Sequence, residues 1–264
     1  MMKKNKFSLT AAVIASLMLV LTSACFAETG EKQAVKTGII GAMDEEVNSL
    51  KEALAEKKTT TLAGMEFCEG KLDGADVVVV KCSMGKVNAA ACTQILIDRF
   101  GVDRIINTGV AGSLDAAIDI GDIVVSTEAV QHDMDVTALG YARGEIPYSG
   151  QSVFPADEAM RASAVEAVKA VAPAVRAFEG RVCSGDQFIA SREQKESILS
   201  SVGGLCCEME GAAIAQVCSL NGTPFVIIRA ISDKADDSEE MSYVEFVQAA
   251  AENCAAITRY MITH

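Results

Sequence analysis

The residues of this chain best suited to acid–base chemistry are carboxylates that stand where an apolar run gives way to a helix. Glu208 and Glu210 follow the apolar run 202–206 and precede the apolar segment 212–220, which we predict to be a buried helix. In an extended run, their two-residue spacing would point both side chains the same way. A carboxylate in apolar surroundings is costly unless it is paired or hydrogen-bonded. The two acids therefore have two possible roles: they stabilise the N-terminus of a helix through its dipole, or they take part in chemistry.

Two more acids occupy the same kind of position. Glu46 lies in the predicted first turn of a helix that follows the buried strand 37–42, and Asp233 comes just after the strand 225–230. Ligands of open α/β sheets bind at the carboxyl ends of the strands. Acids at positions 44 to 46 are also typical of an ordinary helix start, so helix capping remains an alternative for Glu46.

Glycines and one aromatic residue follow other predicted strands. The segment 109–113 (Gly-Val-Ala-Gly-Ser) is predicted to be a turn after the strand 104–108, at which Gly112 allows the backbone to approach a ligand closely. Its spacing matches neither the dinucleotide fingerprint nor a Walker loop. Phe188 and Ile189 follow the strand 175–183 and form either part of the core or an apolar wall for an aromatic ligand.

The elements that must position these residues alternate along the chain. Apolar or alternating runs predict further strands at 59–62, 65–72, 76–82 and 123–130. Helices are predicted from Met43 to about Glu56 and over 86–100, 157–171, 192–201 and 243–262. We therefore expect a single α/β domain, with a mixed, mainly parallel central sheet flanked by helices.

Composition excludes several classes of function. The 264 residues carry a net charge of −13, which argues against a nucleic-acid surface. The nine cysteines include no Cys-x-x-Cys pair and there are only two histidines, so we expect buried free thiols and no metal site. A small neutral or cationic substrate fits this charge.

The first 27 residues form a separate unit. A basic start at 1–6, an apolar run at 9–21 and small residues at 22–27 predict a signal peptide over 1–27, a linker over 28–36 and a domain over 37–264. Cleavage is expected either before Cys25, which would carry a lipid anchor, or after Ala27. We expect an exported, extracytoplasmic protein at the periplasm or cell surface with no membrane span after processing; an uncleaved helix on a cytoplasmic protein is the alternative.

Eight ordered motifs resemble those of the 5′-methylthioadenosine/S-adenosylhomocysteine nucleosidase family, which has a nucleoside phosphorylase-like fold. They span most of residues 36–264 and lie at 38–47, 85–90, 106–112, 121–126, 133–137, 184–189, 208–213 and 229–233. The resemblance implies hydrolysis of the N-glycosidic bond of methylthioadenosine, S-adenosylhomocysteine or 5′-deoxyadenosine. It also implies a homodimer and no cofactor.

The resemblance further implies a role for each site residue. Glu46 would activate the attacking water, and Asp233, oriented by Ser232, would protonate N7 of adenine. Glu210 would accept the ribose hydroxyls. The implied substrate-binding residues are Met43, Val110, Gly112, Phe188, Ile189, Glu208, Met209, Glu210, Ser232 and Tyr243, with Leu139, Tyr141 and Pro147 supplied by a partner subunit.

Two alternatives from other classes remain at this point. A phosphate-dependent nucleoside phosphorylase would need a phosphate site, normally with arginine, but 38–46 and 109–113 contain none. An extracytoplasmic nucleoside-binding protein would need no catalytic acids. Val110 and Leu139 depart from the Ser and Phe that many members of the family have, and both departures concern substrate preference.

Overall fold

Alternating side chains of the central strands form two hydrophobic layers, one on each side of the sheet. Ile39, Val77 and Val79 belong to one layer, whereas the residues that follow them in the chain, Ile40, Val78 and Val80, belong to the other. This is the two-residue period of strands that are covered on both faces. The structure is a computed structural model that describes residues 35–235 and 239–264, with no side chain described for 239–245.

In the described part of the chain, the sheet has ten strands and is mixed. They are β1 (Thr37–Gly41), β2 (Ala55–Leu62), β3 (Met65–Leu72), β4 (Ala75–Lys81), β5 (Arg104–Ser113), β6 (Ile123–Gln131), β7 (Phe154–Pro155), β8 (Ala177–Ser184), β9 (Cys206–Glu208) and β10 (Phe225–Asp233). Strand β1 pairs in parallel with β4 and β5, and β5 pairs in parallel with β10. Because β10 also pairs with β6, β6 with β8, β8 with β9, and β9 with β5, these five strands close into a ring.

Helices cover both faces of the sheet, which confirms the predicted fold class. They are α1 (Asp44–Glu52), α2 (Lys86–Phe100), α3 (Glu158–Val171), α4 (Arg192–Ser201), α5 (Gly211–Asn221) and α6 (Glu239–Thr263). Apolar residues of α2 and α5 join one layer, and those of α1, α3 and α6 join the other. None of the helices described in the structure is long and apolar enough to span a membrane.

Three predicted boundaries are wrong because strand pairing extends further than the local sequence indicates. Helix α1 ends at Glu52 rather than near Glu56, since β2 begins at Ala55 and pairs with β3. The segment 109–113 is not a turn but the end of β5, where Gly109 pairs with Arg229 and Gly112 with Asp233. For the same reason, β10 continues past Ala230 to Asp233.

The cysteines behave as the sequence analysis expects. All eight in the described part of the chain are buried and free. Burial raises the pKa of the Cys183 and Cys218 thiols to about 12, which keeps them protonated at neutral pH.

Candidate active site

The acids predicted to do chemistry line one pocket at the ends of several strands. The pocket encloses about 560 Å³ of space that no atom occupies, including the part that is open to solvent. Its wall is formed by residues that follow β1 and β8 and by the last residues of β5, β9 and β10. Four carboxylates, Glu46, Glu208, Glu210 and Asp233, and one guanidinium, Arg229, belong to this lining.

Glu46 is held by three backbone N–H groups. Its Oε2 accepts from Ala42 at 2.6 Å and Met43 at 3.0 Å, and its Oε1 accepts from Val110 at 3.0 Å. A side chain at Gly109 would overlap Glu46 and Arg229, so glycine is required there for close approach. Burial raises the pKa of Glu46 above its ordinary value, although Arg229 and the three N–H groups oppose the shift. A more basic carboxylate of this kind is suited to taking a proton from water.

Glu208 and Glu210 converge on Arg229. Strand β9 ends at Glu208 and Glu210 precedes α5, so the chain turns between them rather than continuing as an extended run. Glu208 forms a short ion pair with Arg229, and its oxygens also accept from the N–H of Gly211 at 3.0 and 2.8 Å. Oε2 of Glu210 lies 3.8 Å from the Arg229 guanidinium.

The Glu210 carboxylate, which lines the pocket, is held by a hydrogen bond from the residue before α2. Its Oε1 accepts the N–H of Gly85, just before α2, at 2.9 Å. Burial and the neighbouring charge of Glu208 raise the pKa of Glu210 to about 7, while Arg229 and Gly85 act in the opposite direction. Hydrogen-bond donors of a bound ligand would favour the charged form of this carboxyl.

Arg229 is a charged site residue that was not predicted from the sequence. Its side chain is 1% exposed, and it donates to Asn107 at 2.5 Å as well as to Glu208. Burial opposes its charge, but Glu208, Glu210 and Glu46 together hold its pKa above the ordinary value. The sequence does contain a signal for this residue: it is a single arginine inside an otherwise apolar strand, and such a buried charge needs a buried counter-charge.

Asp233 is fixed by its own chain segment. Its Oδ2 accepts the Ser232 hydroxyl at 2.8 Å, and its Oδ1 accepts the N–H of Ala235 at 3.0 Å. A Cβ at Gly112 would lie 2.6 Å from Oδ1 of Asp233, so the absence of a side chain at Gly112 makes room for this carboxyl. Ser232 thus contacts the carboxyl that it is predicted to orient, and the role of Asp233 as an acid stays a prediction.

The apolar residues predicted for the site mostly lie in the pocket wall. Met43, Val110, Phe188, Ile189 and Met209 line it, and Met84, Gln187 and Cys207 are lining residues that the sequence analysis did not select. Phe188 is 52% exposed, so it is part of the wall rather than of the core. The side chain of Tyr243 lies outside the described residues. Among the residues described, no cluster of His, Cys, Asp and Glu could hold a metal ion.

The residues predicted to line a partner's pocket do not line the pocket of their own chain. Leu139 is 73% exposed at the end of a short 3₁₀ turn, Thr137–Leu139, and Tyr141 and Pro147 are half-buried. None of the three belongs to the pocket lining that the structure describes. That they line the pocket of a neighbouring subunit stays a prediction.

Known proteins of one family are similar to this chain over most of its length. The Phosphorylase superfamily model matches residues 36–263. A 5′-methylthioadenosine/S-adenosylhomocysteine nucleosidase from Geobacillus thermodenitrificans is 44% identical over 233 residues, which cover 87% of this chain and 97% of that protein.

Solved structures of 5′-methylthioadenosine/S-adenosylhomocysteine nucleosidases have the same fold as this chain. The nucleosidase from Colwellia psychrerythraea in complex with adenine superposes with a TM-score of 0.84 at 42% identity, covering 88% of this chain and 96% of the other. The nucleosidase from Neisseria meningitidis in complex with methylthio-immucillin-A gives 0.83 at 38% identity, covering 86% and 98%. The chain therefore belongs to the phosphorylase superfamily and, within it, to the 5′-methylthioadenosine/S-adenosylhomocysteine nucleosidase family.

Proposed function

We propose that this protein hydrolyses the N-glycosidic bond of methylthioadenosine and S-adenosylhomocysteine, releasing adenine and the 5′-substituted ribose. The observation that carries the proposal is the convergence of Glu46, Glu210 and Asp233 on one pocket. Breaking this bond builds positive charge on the sugar and negative charge on the base, as in other glycoside hydrolysis. The reaction therefore needs a base for the attacking water, an acid for the leaving purine and a negative charge near the sugar. The three carboxylates can supply these three functions.

Each carboxylate takes one task. Glu46, whose pKa is raised by burial, accepts the proton of the attacking water. Asp233 donates a proton to the leaving base, and Glu210 binds the ribose hydroxyls and faces the positive charge that develops on the sugar. A positioned acid and a positioned base each contribute about 10²–10⁴-fold to the rate. Phe188 and Met209 supply apolar surface for the purine and the sugar.

The charge of the pocket favours water over phosphate as the attacking group. Among the described residues of the lining, Arg229 is the only cationic side chain, and its guanidinium is already engaged by Glu208 and Asn107. A phosphate dianion would therefore enter a site with four carboxylates and no available counter-charge in that lining. This argues against the phosphorylase alternative.

Product analysis with methylthioadenosine, with and without phosphate, tests the reaction. We expect adenine release at the same rate in both conditions and free methylthioribose as the second product. Strict dependence on phosphate, with a sugar 1-phosphate as product, would place the protein among the phosphorylases. Binding without any turnover would instead support the nucleoside-binding alternative.

We also propose that the active form is a homodimer. Leu139 and Tyr148 are 73% and 98% exposed, and the ring of Tyr148 packs edge-on against Tyr141. The exposed apolar side chains Leu139 and Tyr148 are suited to covering the open side of a neighbour's pocket, whose own Phe188 is half exposed. Light scattering with parallel activity measurements tests this; a fully active monomer at micromolar concentration would refute it.

Export remains a proposal that rests on residues 1–27, which lie outside the described part of the chain. We propose an extracytoplasmic protein whose mature chain begins at Cys25 with a lipid anchor or at Glu28 without one. The basic, apolar and small-residue regions in this order support it. Intact-mass measurement on the native protein distinguishes the two starts, and a cytoplasmic chain that begins at Met1 or Met2 would contradict both.

A further inference from the structure

Lys195 connects the helix that follows the apolar wall of the pocket to the segment that carries Asp233. It lies in the first half of α4, which begins soon after Gln187, Phe188 and Ile189. The Nζ of this half-buried side chain donates to the main-chain oxygen of Ser113 at 2.8 Å and to that of Lys234 at 2.7 Å. These two acceptors are 82 and 39 residues away in sequence, so the lysine bridges three separate parts of the chain.

The two acceptors lie just beyond the last paired residues of β5 and β10. The final pair between these two strands joins Asp233 to Gly112. Ser113 follows Gly112 in β5, where it pairs with β9, and Lys234 follows the last residue of β10. The lysine ammonium therefore links the two strands where backbone pairing between them has ended. The Asp233 carboxyl lies directly over this point, since a Cβ on Gly112 would be 2.6 Å from its Oδ1.

Lys234 is also anchored through its side chain. Its Nζ donates to the Ile118 carbonyl at 2.6 Å and to Asp119 at 2.9 Å. Two residues that hydrogen-bond to the Asp233 carboxyl, Ser232 and Ala235, belong to the same segment. The direction of the carboxyl therefore follows the path of the backbone that Lys195 holds.

We propose that Lys195 is a positioning residue for the leaving-group acid. It holds the backbone that directly follows Gly112 and Asp233 at a fixed distance from the α4 helix, and thus from the purine wall that precedes this helix. The inference rests on the proposed role of Asp233. A displacement of about 1 Å in a positioned group can cost roughly 10²-fold in rate, so loss of this link should appear in catalysis.

The test compares Lys195→Met in the wild-type and Asp233→Asn backgrounds, using methylthioadenosine. Methionine keeps an unbranched side chain but cannot donate a hydrogen bond. In the wild-type background, we expect kcat to fall about 10- to 100-fold and KM to change less than about threefold. In the Asp233→Asn background, the same substitution should change kcat less than about twofold, because the acid through which it acts is already lost.

Two further variants separate positioning from a general loss of structure. Lys195→Arg keeps a cationic donor and should retain more of kcat than Lys195→Met. Lys169→Met, at an exposed lysine of α3, is the matched control and should leave kcat and KM unchanged. Should Lys195→Met fail to fold, Lys195→Ala, which also cannot donate a hydrogen bond, takes its place in the same comparison.

The outcomes distinguish this inference from the proposed function. Equal fold-losses from Lys195→Met in both backgrounds, or an unchanged kcat in the wild-type background, would overturn the positioning role. An Asp233→Asn variant with normal kcat would instead remove the proposed acid itself. Absence of methylthioadenosine hydrolysis by the wild-type protein would refute the proposed function as a whole.

Discussion

Replacing Arg229 with methionine should strongly destabilise the fold, because it leaves buried carboxylates without their counter-charge. The guanidinium pairs with Glu208, lies 3.8 Å from Oε2 of Glu210 and is 1% exposed. Removing one partner of a buried ion pair costs about 3–5 kcal/mol. For a domain of this size, each kcal/mol lowers Tm by about 2–4 °C, so we expect a decrease of about 6–20 °C.

The loss of stability should also depend on pH, with a sign that follows from Glu210. Burial and Glu208 raise the pKa of Glu210 to about 7, and Arg229 limits that rise. In Arg229→Met the folded-state pKa of Glu210 therefore increases further, whereas the unfolded-state pKa is unchanged. Above the unfolded-state pKa the native protein then binds more protons than the unfolded chain, so its stability falls as pH rises through this interval. The deficit should be larger near pH 8 than near pH 5.

Thermal unfolding monitored by circular dichroism at both pH values measures the effect. Arg259→Met is the matched control, since Arg259 is half exposed and pairs with Asp73 at the surface. An exposed pair of this kind contributes about 0–1 kcal/mol, so Tm should barely change. If Arg229→Met were as stable as this control, or if its deficit were the same at both pH values, the buried charge network would not act as we describe.

Four other predictions address the site and the core. Asp233→Asn should lower kcat by about 10²-fold or more and leave substrate affinity within about tenfold, measured by adenine release; near-normal kcat would support mere capping. Gly112→Ala should lower kcat about tenfold in a folded protein, because its Cβ would crowd the Asp233 carboxyl; an unaffected variant would contradict the packing. Glu210→Gln should be more stable relative to wild type near pH 8 than near pH 5, since it removes a carboxyl whose pKa is raised, and equal effects would refute this. Native protein should resist alkylation at Cys183 and Cys218, whose pKa values are raised to about 12 by burial, as mass spectrometry before and after denaturation would show.

The sequence predicts the edge of the sheet at which the site forms, because parallel strands end on the same side. Glu46 follows β1 and Asp233 ends β10, and β5 lies between these two parallel strands. Acids that follow such strands must converge, whatever the lengths of the helices between them. The same reasoning fails for 109–113, since a glycine-rich stretch looks like a turn when the partner strand that keeps it extended is unknown.

The contacts that tune the site depend on pairings across long stretches of sequence. Gly85 lies 125 residues from the Glu210 carboxylate that accepts its N–H, and Lys195 lies 82 residues from Ser113. A local pattern carries no information about such distances, because they follow from the register of neighbouring strands. Lys195 therefore looks like any polar residue of an amphipathic helix until the strand ends beside it are known.

Arg229 is an intermediate case. The sequence shows that this charge, in an apolar strand, needs a counter-charge, but it does not show which carboxylate supplies it. It stands in a strand whose other residues from Phe225 to Ala230 are apolar, and both faces of that strand are buried. An unpaired guanidinium there would be prohibitively costly, so the strand requires a nearby carboxylate that is itself buried. Glu208 and Glu210 are acids in apolar surroundings that need a counter-charge in turn. The structure meets both demands by placing the Glu208/Glu210 turn beside β10, and the same contacts explain why this arginine is not free to bind phosphate.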